Sequence, residues 1–282
     1  MILTLSIGML SIQAFSQTFS VELSGQYGTA IFGHHEPQNQ VYRYSFALDR
    51  SAIWEKEVGV FALGDGYQFN LTLNAKLADN FYFRLKNSYF ATTNDNSSVV
   101  KYAYAAGDRI DTYNANGNAY LFAPMLMFQS EQETAIQPYI AIGMVGGILN
   151  YVQEESSTFL EDILLSTREF TTPFAFGFQG QIGASYGIND NLSIRVGLDC
   201  RVINFHPTSA VVTKHTFNGE DKLSELTTYQ RESNYGDQFI YYDIDDDDHW
   251  VRKVDDDEPR SAAIFPVPLS NLSLEIGVQY SF

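Results

Sequence analysis

Apolar and polar residues alternate along this chain in segments of about ten residues, with almost no helical periodicity. Neighbouring side chains of a strand point to opposite faces, so this alternation predicts strands with one apolar and one polar face. About ten residues is also the length at which a tilted strand crosses a bilayer. Two of the segments are apolar on both faces, 119–128 and 138–149, which leaves their register open. Eight strands are predicted in all, at residues 18–27, 67–77, 81–91, 119–128, 138–149, 174–186, 192–199 and 272–282.

The connections between these strands alternate in length. Tight turns on one side of a barrel and extended loops on the other are typical of outer-membrane barrels. The predicted fold is therefore all-β, an eight-stranded antiparallel up-and-down transmembrane β-barrel over residues 17–282. Ten strands are an alternative, because 41–48 and 58–63 could form another pair. The short connections are 78–80, 129–137 and 187–191, and the long ones are about 28–66, 92–118, 150–172 and 206–265.

The direction of the apolar faces separates a membrane barrel from a secreted, lipocalin-like barrel. Eight strands leave an interior just wide enough to fill with side chains, and the many Phe, Tyr and Leu residues would overfill it. We therefore expect these faces to point outward into lipid, with aromatic residues such as Tyr27 and Tyr186 forming girdles at the interfaces. Buried charges must be paired, so the polar faces predict a salt-bridged plug. Its predicted members are Glu22, Lys76, Arg84, Lys86, Arg195, Asp199, Arg201 and Glu275.

The N-terminal residues 1–16 form a short apolar stretch that ends on Ala14-x-Ser16, the small-x-small pattern of a signal-peptidase site. A signal peptide is the natural interpretation. A buried N-terminal element is the alternative, because no Lys or Arg precedes the stretch. The single cysteine, Cys200, cannot form an intrachain disulfide, and the net charge of −17 argues against nucleic acid as a partner.

Three stretches carry a resemblance to a known family: residues 138–147, 187–197 and 274–282. They resemble the small outer-membrane β-barrel superfamily that includes the OmpA transmembrane domain and OmpX, across residues 17–282 apart from the loops. The last stretch is the most specific, since it is similar to the C-terminal signal by which the barrel-assembly machinery recognises its clients. The resemblance implies the outer membrane of a Gram-negative bacterium, contact with outer-membrane lipids and lipopolysaccharide, and a source among the Bacteroidota.

An acidic run at 243–258 is the sharpest local feature. The run does not complete an EF-hand, because Asp248 stands where glycine is required and Val254 where a bidentate Glu is required. A solvated, self-repelling surface segment is the alternative to a cation site. Such a loop could also share the divalent cations that bridge lipopolysaccharide phosphates. A looser site for a divalent cation such as Ca²⁺ would use carboxylate oxygens of Asp243, Asp245, Asp246, Asp247 and Asp248.

Aromatic residues lie in β-favouring stretches before and within this run, namely Phe239, Tyr241 and Trp250. They predict a hairpin in the last loop, whose exposed edge could bind a protein partner by strand addition. A mobile loop is the alternative.

Three functions are open at this point. The favoured one is a non-enzymatic barrel protein with acidic surface loops and an envelope-integrity or surface-contact role. The others are an accessory subunit of a larger outer-membrane secretion or assembly complex, and a lipid- or peptide-cleaving barrel. No histidine opens the His-x-Ser arrangement of the outer-membrane lipid hydrolases, so no catalytic residues are predicted. The five histidines are His34, His35, His206, His215 and His249.

Overall fold

A computed structural model describes residues 19–31, 63–93, 97–104, 107–130, 135–236, 242–244, 250–252 and 255–282. In chain order the strands are β1 (Phe19–Ala30), β2 (Gly66–Ala78), β3 (Phe81–Thr92), β4 (Ser97–Tyr104), β5 (Gly107–Gln129), β6 (Ile136–Phe159), β7 (Asp162–Thr171), β8 (Ala175–Gly187), β9 (Leu192–Phe205), β10 (Ser209–Phe217), β11 (Glu220–Asp221), β12 (Glu232–Gly236), β13 (Tyr242–Ile244), β14 (Trp250–Arg252), β15 (Arg260–Ala263), β16 (Val267–Pro268) and β17 (Asn271–Ser281). A 3₁₀ turn, Leu223–Glu225, and one turn of α-helix, Thr228–Arg231, lie between β11 and β12. No helix in the described ranges is long and apolar enough to cross a membrane.

Eight of these strands close into a ring of antiparallel pairs, in the order β1, β2, β3, β5, β6, β8, β9 and β17. The ring closes where β17 pairs with β1. The predicted eight-stranded antiparallel barrel is thus confirmed. β1 pairs directly with β2 along its length, which leaves no place in the ring for the alternative strand pair. That pair, 41–48 and 58–63, lies outside the described residues apart from Leu63.

Large apolar side chains cover the outside of the ring, as predicted. Phe69 is 68% exposed, Ile142 70% and Phe178 70%. We call this outward apolar band the belt. The end of the barrel with the long connections is its upper end, and the end with the turns at 78–80 and 187–191 is its lower end.

The two longest strands, β5 and β6, change character at the upper edge of the belt. Tyr120 and Ile148 form a cross-strand pair that faces outward within the belt. Two residues higher on each strand, the outward pair is Asn118 and Asn150, and Nδ2 of Asn150 donates a hydrogen bond of 3.0 Å to Oδ1 of Asn118. Above it the same face of β5 and β6 carries mainly polar side chains: Thr112, Asn114, Asn116, Glu154, Ser156 and Thr158.

Above the belt, the ends of β5 and β6 continue into an open sheet with the order β4, β5, β6, β7, β10, β12 and β15. We call these strands above the belt the distal sheet. Neighbours are antiparallel except β12 and β15, which run parallel. The stretches 92–118, 150–172 and 206–265, predicted as extended connections, therefore contain strands. Their alternation is weak in the sequence because both faces of this sheet carry many polar residues.

Candidate functional site: a filled interior and a distal sheet

Seven charged side chains lie in the middle of the barrel interior, each at most 2% exposed. Strand alternation points them inward, opposite to the belt. Lys76, which was predicted with them, lies instead near the lower end, where it is partly exposed and its Nζ is 3.6 Å from Oδ1 of Asp79. We call the buried seven the lumen network: Glu22, Arg84, Lys86, Arg195, Asp199, Arg201 and Glu275.

One centre of the lumen network is the carboxylate of Glu22. Arg84 approaches it with both terminal nitrogens, Nη1 at 2.9 Å from Oε2 and Nη2 at 3.2 Å from Oε1. This bidentate geometry is the strongest form of a guanidinium–carboxylate contact. Nη1 of Arg195 lies 3.5 Å from the same Oε2 and donates a 2.8 Å hydrogen bond to Oε1 of Gln279.

The second centre is the ammonium group of Lys86. Its Nζ lies 2.9 Å from Oδ2 of Asp199 and 2.8 Å from Oε2 of Glu275, so one cation holds two carboxylates. Arg84 joins the two centres, because its Nη2 is 4.0 Å from Oε1 of Glu275. Ser24 and other neutral groups also donate hydrogen bonds to these carboxylates. The predicted salt-bridged plug is therefore present, with Lys76 outside it.

Arg201 completes the lumen network without a carboxylate of its own in the described structure. Its Nη1 donates to Oε1 of Gln68 at 2.6 Å, and its Nε donates to the carbonyl oxygen of Leu269 at 3.2 Å. The guanidinium carbon also lies 5.2 Å from the centre of the Phe90 ring. This side chain connects the charged middle of the barrel to the apolar residues above it.

The strands with open register, β5 and β6, form the apolar wall of the interior. Small residues and methionines such as Ala119, Met125 and Ala141 point inward there and are buried. These strands are apolar on both faces because the outward face forms part of the belt and the inward face forms the apolar wall.

Tyr139 is the large side chain of the apolar wall. It lies across Gly183 and Gly197, where an added Cβ would collide with its phenol. Arg195 stacks on its ring, with the guanidinium carbon 3.9 Å from the ring centre. The two glycines therefore provide the room in which the apolar wall and the lumen network meet.

Above the lumen network, the interior is closed by a layer of apolar residues with no exposed surface. Leu63, from the end of the first long connection, is held there by a 3.3 Å hydrogen bond from its N–H to the carbonyl oxygen of Pro268. The lumen network, the apolar wall and this layer together fill the described interior, as is usual for eight-stranded barrels. We call this layer the cap: Leu63, Phe90, Phe205, Val267 and Leu269.

The distal sheet packs around an aromatic core that is continuous with the buried apolar residues of the cap and the apolar wall. The rings of Tyr151 and Phe170 stack with centres 4.4 Å apart, and Tyr235 and Phe265 pack around Phe170 at 6.0 Å each. Residues from β6, β7, β12 and the segment after β15 meet in this cluster. The distal sheet is therefore a packed substructure.

A carboxyl group lies half-buried on the same side of the distal sheet as this core. Burial, with a smaller contribution from Asp111, raises the pKa of Glu155 above its usual range, while the charge of Arg168 opposes the shift. Asp111 is itself buried and pairs with Arg109, whose Nε lies 2.8 Å from Oδ1.

Residues 245–249, 253 and 254 of the acidic run lie outside the described residues. β13 and β14 pair as an antiparallel hairpin, in agreement with the hairpin predicted for the last connection. Asp243 belongs to β13, but its side chain is not described, and Asp245, Asp246, Asp247 and Asp248 lie outside the described ranges. The cation site stays a prediction. Across the part of the chain that the structure describes, no group of three or more His, Cys, Asp or Glu residues is arranged to hold a metal ion.

Of the predicted signal peptide and the five histidines, few positions are described. Residues 1–16 lie outside the described ranges, as do His34, His35 and His249. His206 is exposed beyond β9, and His215 is half-buried in the distal sheet. Leu63 and the distal sheet core were missed at the sequence level, because their partners come from distant parts of the chain and no local pattern marks them.

No protein-family model matches this sequence, and no curated protein matches it. Among solved structures, the fold is similar to the outer membrane protein OprG from Pseudomonas aeruginosa, with 12% identity over 94% of this chain and 95% of that chain and a TM-score of 0.43. It is also similar to Neisserial surface protein A, with 8% identity over 95% of this chain and all of that chain and a TM-score of 0.35. Neither likeness reaches a level that assigns this chain to a family or gives it a function.

Proposed function

We propose that this chain is an integral outer-membrane protein of a Gram-negative bacterium, with a non-enzymatic role in envelope integrity or surface contact. The belt is the observation that carries the proposal. A ring of exposed Phe, Leu, Ile and Val side chains far exceeds the isolated apolar patches of soluble proteins. Lipid is the surrounding that makes such a surface favourable, and a closed barrel satisfies every backbone group within it.

The filled interior favours a role at the cell surface over a role as a channel. The lumen network and the cap occupy the space that a channel would need. Function is then expected at the distal sheet and the connections around it, which rise from the upper end of the barrel. With the lower turns facing the periplasm, this end faces the outside of the cell.

The C-terminal strand supports contact with the barrel-assembly machinery. Phe282 is 75% exposed, and its N–H donates a 2.9 Å hydrogen bond to the carbonyl oxygen of Phe19. Its side chain is thus available while its backbone closes the ring. Deletion of Phe282 should reduce the amount of assembled barrel in the outer membrane more than deletion of 245–249 does, and normal assembly without Phe282 would contradict this role.

The acidic run supports a second part of the proposal. At a cell surface, Asp243 and the four aspartates from Asp245 to Asp248 would bind divalent cations such as Ca²⁺, shared with lipopolysaccharide phosphates. Replacing all five by Asn should abolish Ca²⁺ binding in calorimetry of the detergent-solubilised protein, and unchanged binding would place the cations elsewhere.

The sidedness of the barrel gives the direct test. In a Cys200→Ser background, Glu169→Cys places a thiol on an exposed position of the distal sheet, and Asp190→Cys places one in a lower turn. A membrane-impermeant maleimide added to intact cells should label residue 169 and not residue 190, and both should react after lysis. Labelling of residue 190 alone, or recovery of the protein in the soluble fraction, would contradict the proposal.

An accessory subunit of a larger outer-membrane complex is a second candidate. Among the described strands, β4 and β15 each pair on one side only, and such edges can accept a strand from a partner. Stoichiometric co-purification with a larger barrel from detergent extracts would favour this candidate. Purification of the chain alone under the same conditions would favour the independent surface protein.

A further inference from the structure

The side chain of Asn87 is an amide that faces outward within the belt. Asn87 lies on β3 between Leu85 and Tyr89 and is exposed, opposite to the inward Lys86. Of the described outward residues of β2, β3 and β5 within the belt, it is the one amide side chain. Its neighbours across the strands are Leu71 on β2 and Phe122 on β5, both apolar.

This amide has no hydrogen-bond partner among the described residues. In water such a group is solvated, but the hydrocarbon region offers neither donors nor acceptors, so an unpaired amide there is costly. Polar side chains inside a membrane are therefore rare and mark functional positions. We therefore expect the hydrogen-bond partner of the Asn87 amide to be a group of a lipid molecule.

The surface around Asn87 is a shallow, open groove. A groove of about 630 Å³ opens on the outer wall here, and its sides include Leu71, Tyr89, Tyr120, Phe122 and Phe174. Two ring pairs define its aromatic sides, Tyr89 with Tyr120 at 5.0 Å and Phe122 with Phe174 at 5.7 Å between centres. The groove has the apolar lining of an acyl-chain site, with Asn87 as a polar group within it.

The depth of the groove within the belt corresponds to one leaflet of the membrane. Tyr27 and Tyr67 pack at 5.0 Å, and with Tyr89 and Tyr120 they form a tyrosine row near the upper edge of the belt. Tyrosine is enriched at the level of lipid headgroups. Asn87 is two residues below Tyr89, which on a tilted strand is about 5 Å deeper. The amide therefore lies at the level of the first carbons of acyl chains in the upper leaflet.

We propose that this groove binds an outer-leaflet lipid with a hydroxyl group near the head of an acyl chain, and that Asn87 hydrogen-bonds to this hydroxyl. The inference rests on the proposed membrane location and adds a lipid class to it. A hydroxyl both donates and accepts, so it pairs with either end of the amide, while the rest of the acyl chain lies along the aromatic sides. An unsubstituted chain offers only its ester carbonyl oxygen, which can accept from the amide N–H but leaves the amide oxygen without a donor.

The test compares two synthetic lipids that differ in this hydroxyl alone, β-hydroxymyristoyl and myristoyl phosphatidylethanolamine. The protein is refolded in detergent with equal amounts of both, and bound lipid is counted by native mass spectrometry. One hydrogen bond predicts a preference of about five- to tenfold for the hydroxylated lipid in the natural chain. Asn87→Leu should remove the preference, and Asn87→Gln should retain part of it.

A second variant separates the groove from the amide. Val196→Asn, combined with Asn87→Leu, puts an amide on an outward position of β9 that does not line the groove. This double variant should show no preference for the hydroxylated lipid. A preference that persists in Asn87→Leu, or is absent from the natural chain, would overturn the lipid site while the barrel still inserts into vesicles. Failure of the natural chain to insert at all would overturn the proposed function and the lipid site together.

Discussion

The barrel and the distal sheet differ in the outward faces of β5 and β6, which run through both. In the charged middle of the barrel, Arg84 and Lys86 are inside and apolar side chains of the same strand are outside. In the distal sheet, the aromatic pair Tyr151 and Phe170 is inside. The change occurs between the pairs Tyr120–Ile148 and Asn118–Asn150. The comparison teaches that the surrounding solvent, more than strand pairing, decides which residues each part buries.

The largest effect is expected from removing one charge of the lumen network. Lys86→Met leaves the carboxylates of Asp199 and Glu275 without their shared cation inside the barrel. Breaking a buried ion pair in this way costs about 3–5 kcal/mol. Denaturant unfolding in lipid vesicles should show this loss in the free energy of unfolding.

Lys76→Met is the matched control, because its contact with Asp79 is at the partly exposed lower end. Such a pair contributes about 0–1 kcal/mol, so the control should unfold close to the natural chain. Equal losses in the two lysine variants would mean that the interior is open to water.

Loss of the aromatic core should affect the distal sheet most, although this core is continuous with the cap. Phe170→Ala removes the ring that contacts Tyr151, Tyr235 and Phe265, at an expected cost of about 3 kcal/mol. Amide hydrogen exchange should then accelerate in β7 and β10, while the strands in the belt keep their protection. Phe217→Ala, at a ring that is 41% exposed, is the control with little effect. Faster exchange throughout the barrel would show that the two parts unfold as one.

A change at the contact between the apolar wall and the lumen network should lower the free energy of unfolding by a smaller amount. Gly197→Ala places a methyl group against the Tyr139 hydroxyl, and overpacking of this kind costs about 1–3 kcal/mol. Gly25→Ala is the control, since a Cβ there meets nothing within 4 Å. Unfolding in vesicles measures both variants. A Gly197→Ala variant as stable as the natural chain would mean that Tyr139 has room to move.

The smallest effect is a pH dependence of the distal sheet. Burial raises the pKa of Glu155, and a carboxyl with a higher pKa in the folded than in the unfolded state stabilises the fold in its protonated form. That contribution is fully present below the unfolded pKa and is lost as the pH rises through the folded pKa. Amide hydrogen exchange in β6 and β7, corrected for intrinsic exchange rates, should therefore slow as the pH is lowered. Glu155→Gln should remove this pH dependence. The same pH dependence in Glu155→Gln would assign it to another group.

The parts of the fold that could be predicted from the sequence are those with a local pattern. Alternation in β1, β3, β9 and β17 predicts both the strands and the inward charges, because the membrane imposes a strict two-sided environment. The register of β5 and β6 could not be predicted, since both of their faces are apolar. The distal sheet was missed because its core joins residues as distant as Tyr151 and Phe265. Asn87 could have been noticed as an amide on an apolar face, but its groove needs the neighbouring strands.

The measurement that tests the central claim most directly is electrophoresis of the purified protein in SDS, with and without boiling. A closed barrel whose charges are paired inside and whose surface suits detergent should resist SDS at room temperature and migrate as a compact species. Boiling should unfold it and shift the band to a different apparent mass. The same mobility before and after boiling would contradict a stable membrane barrel and the account built on it.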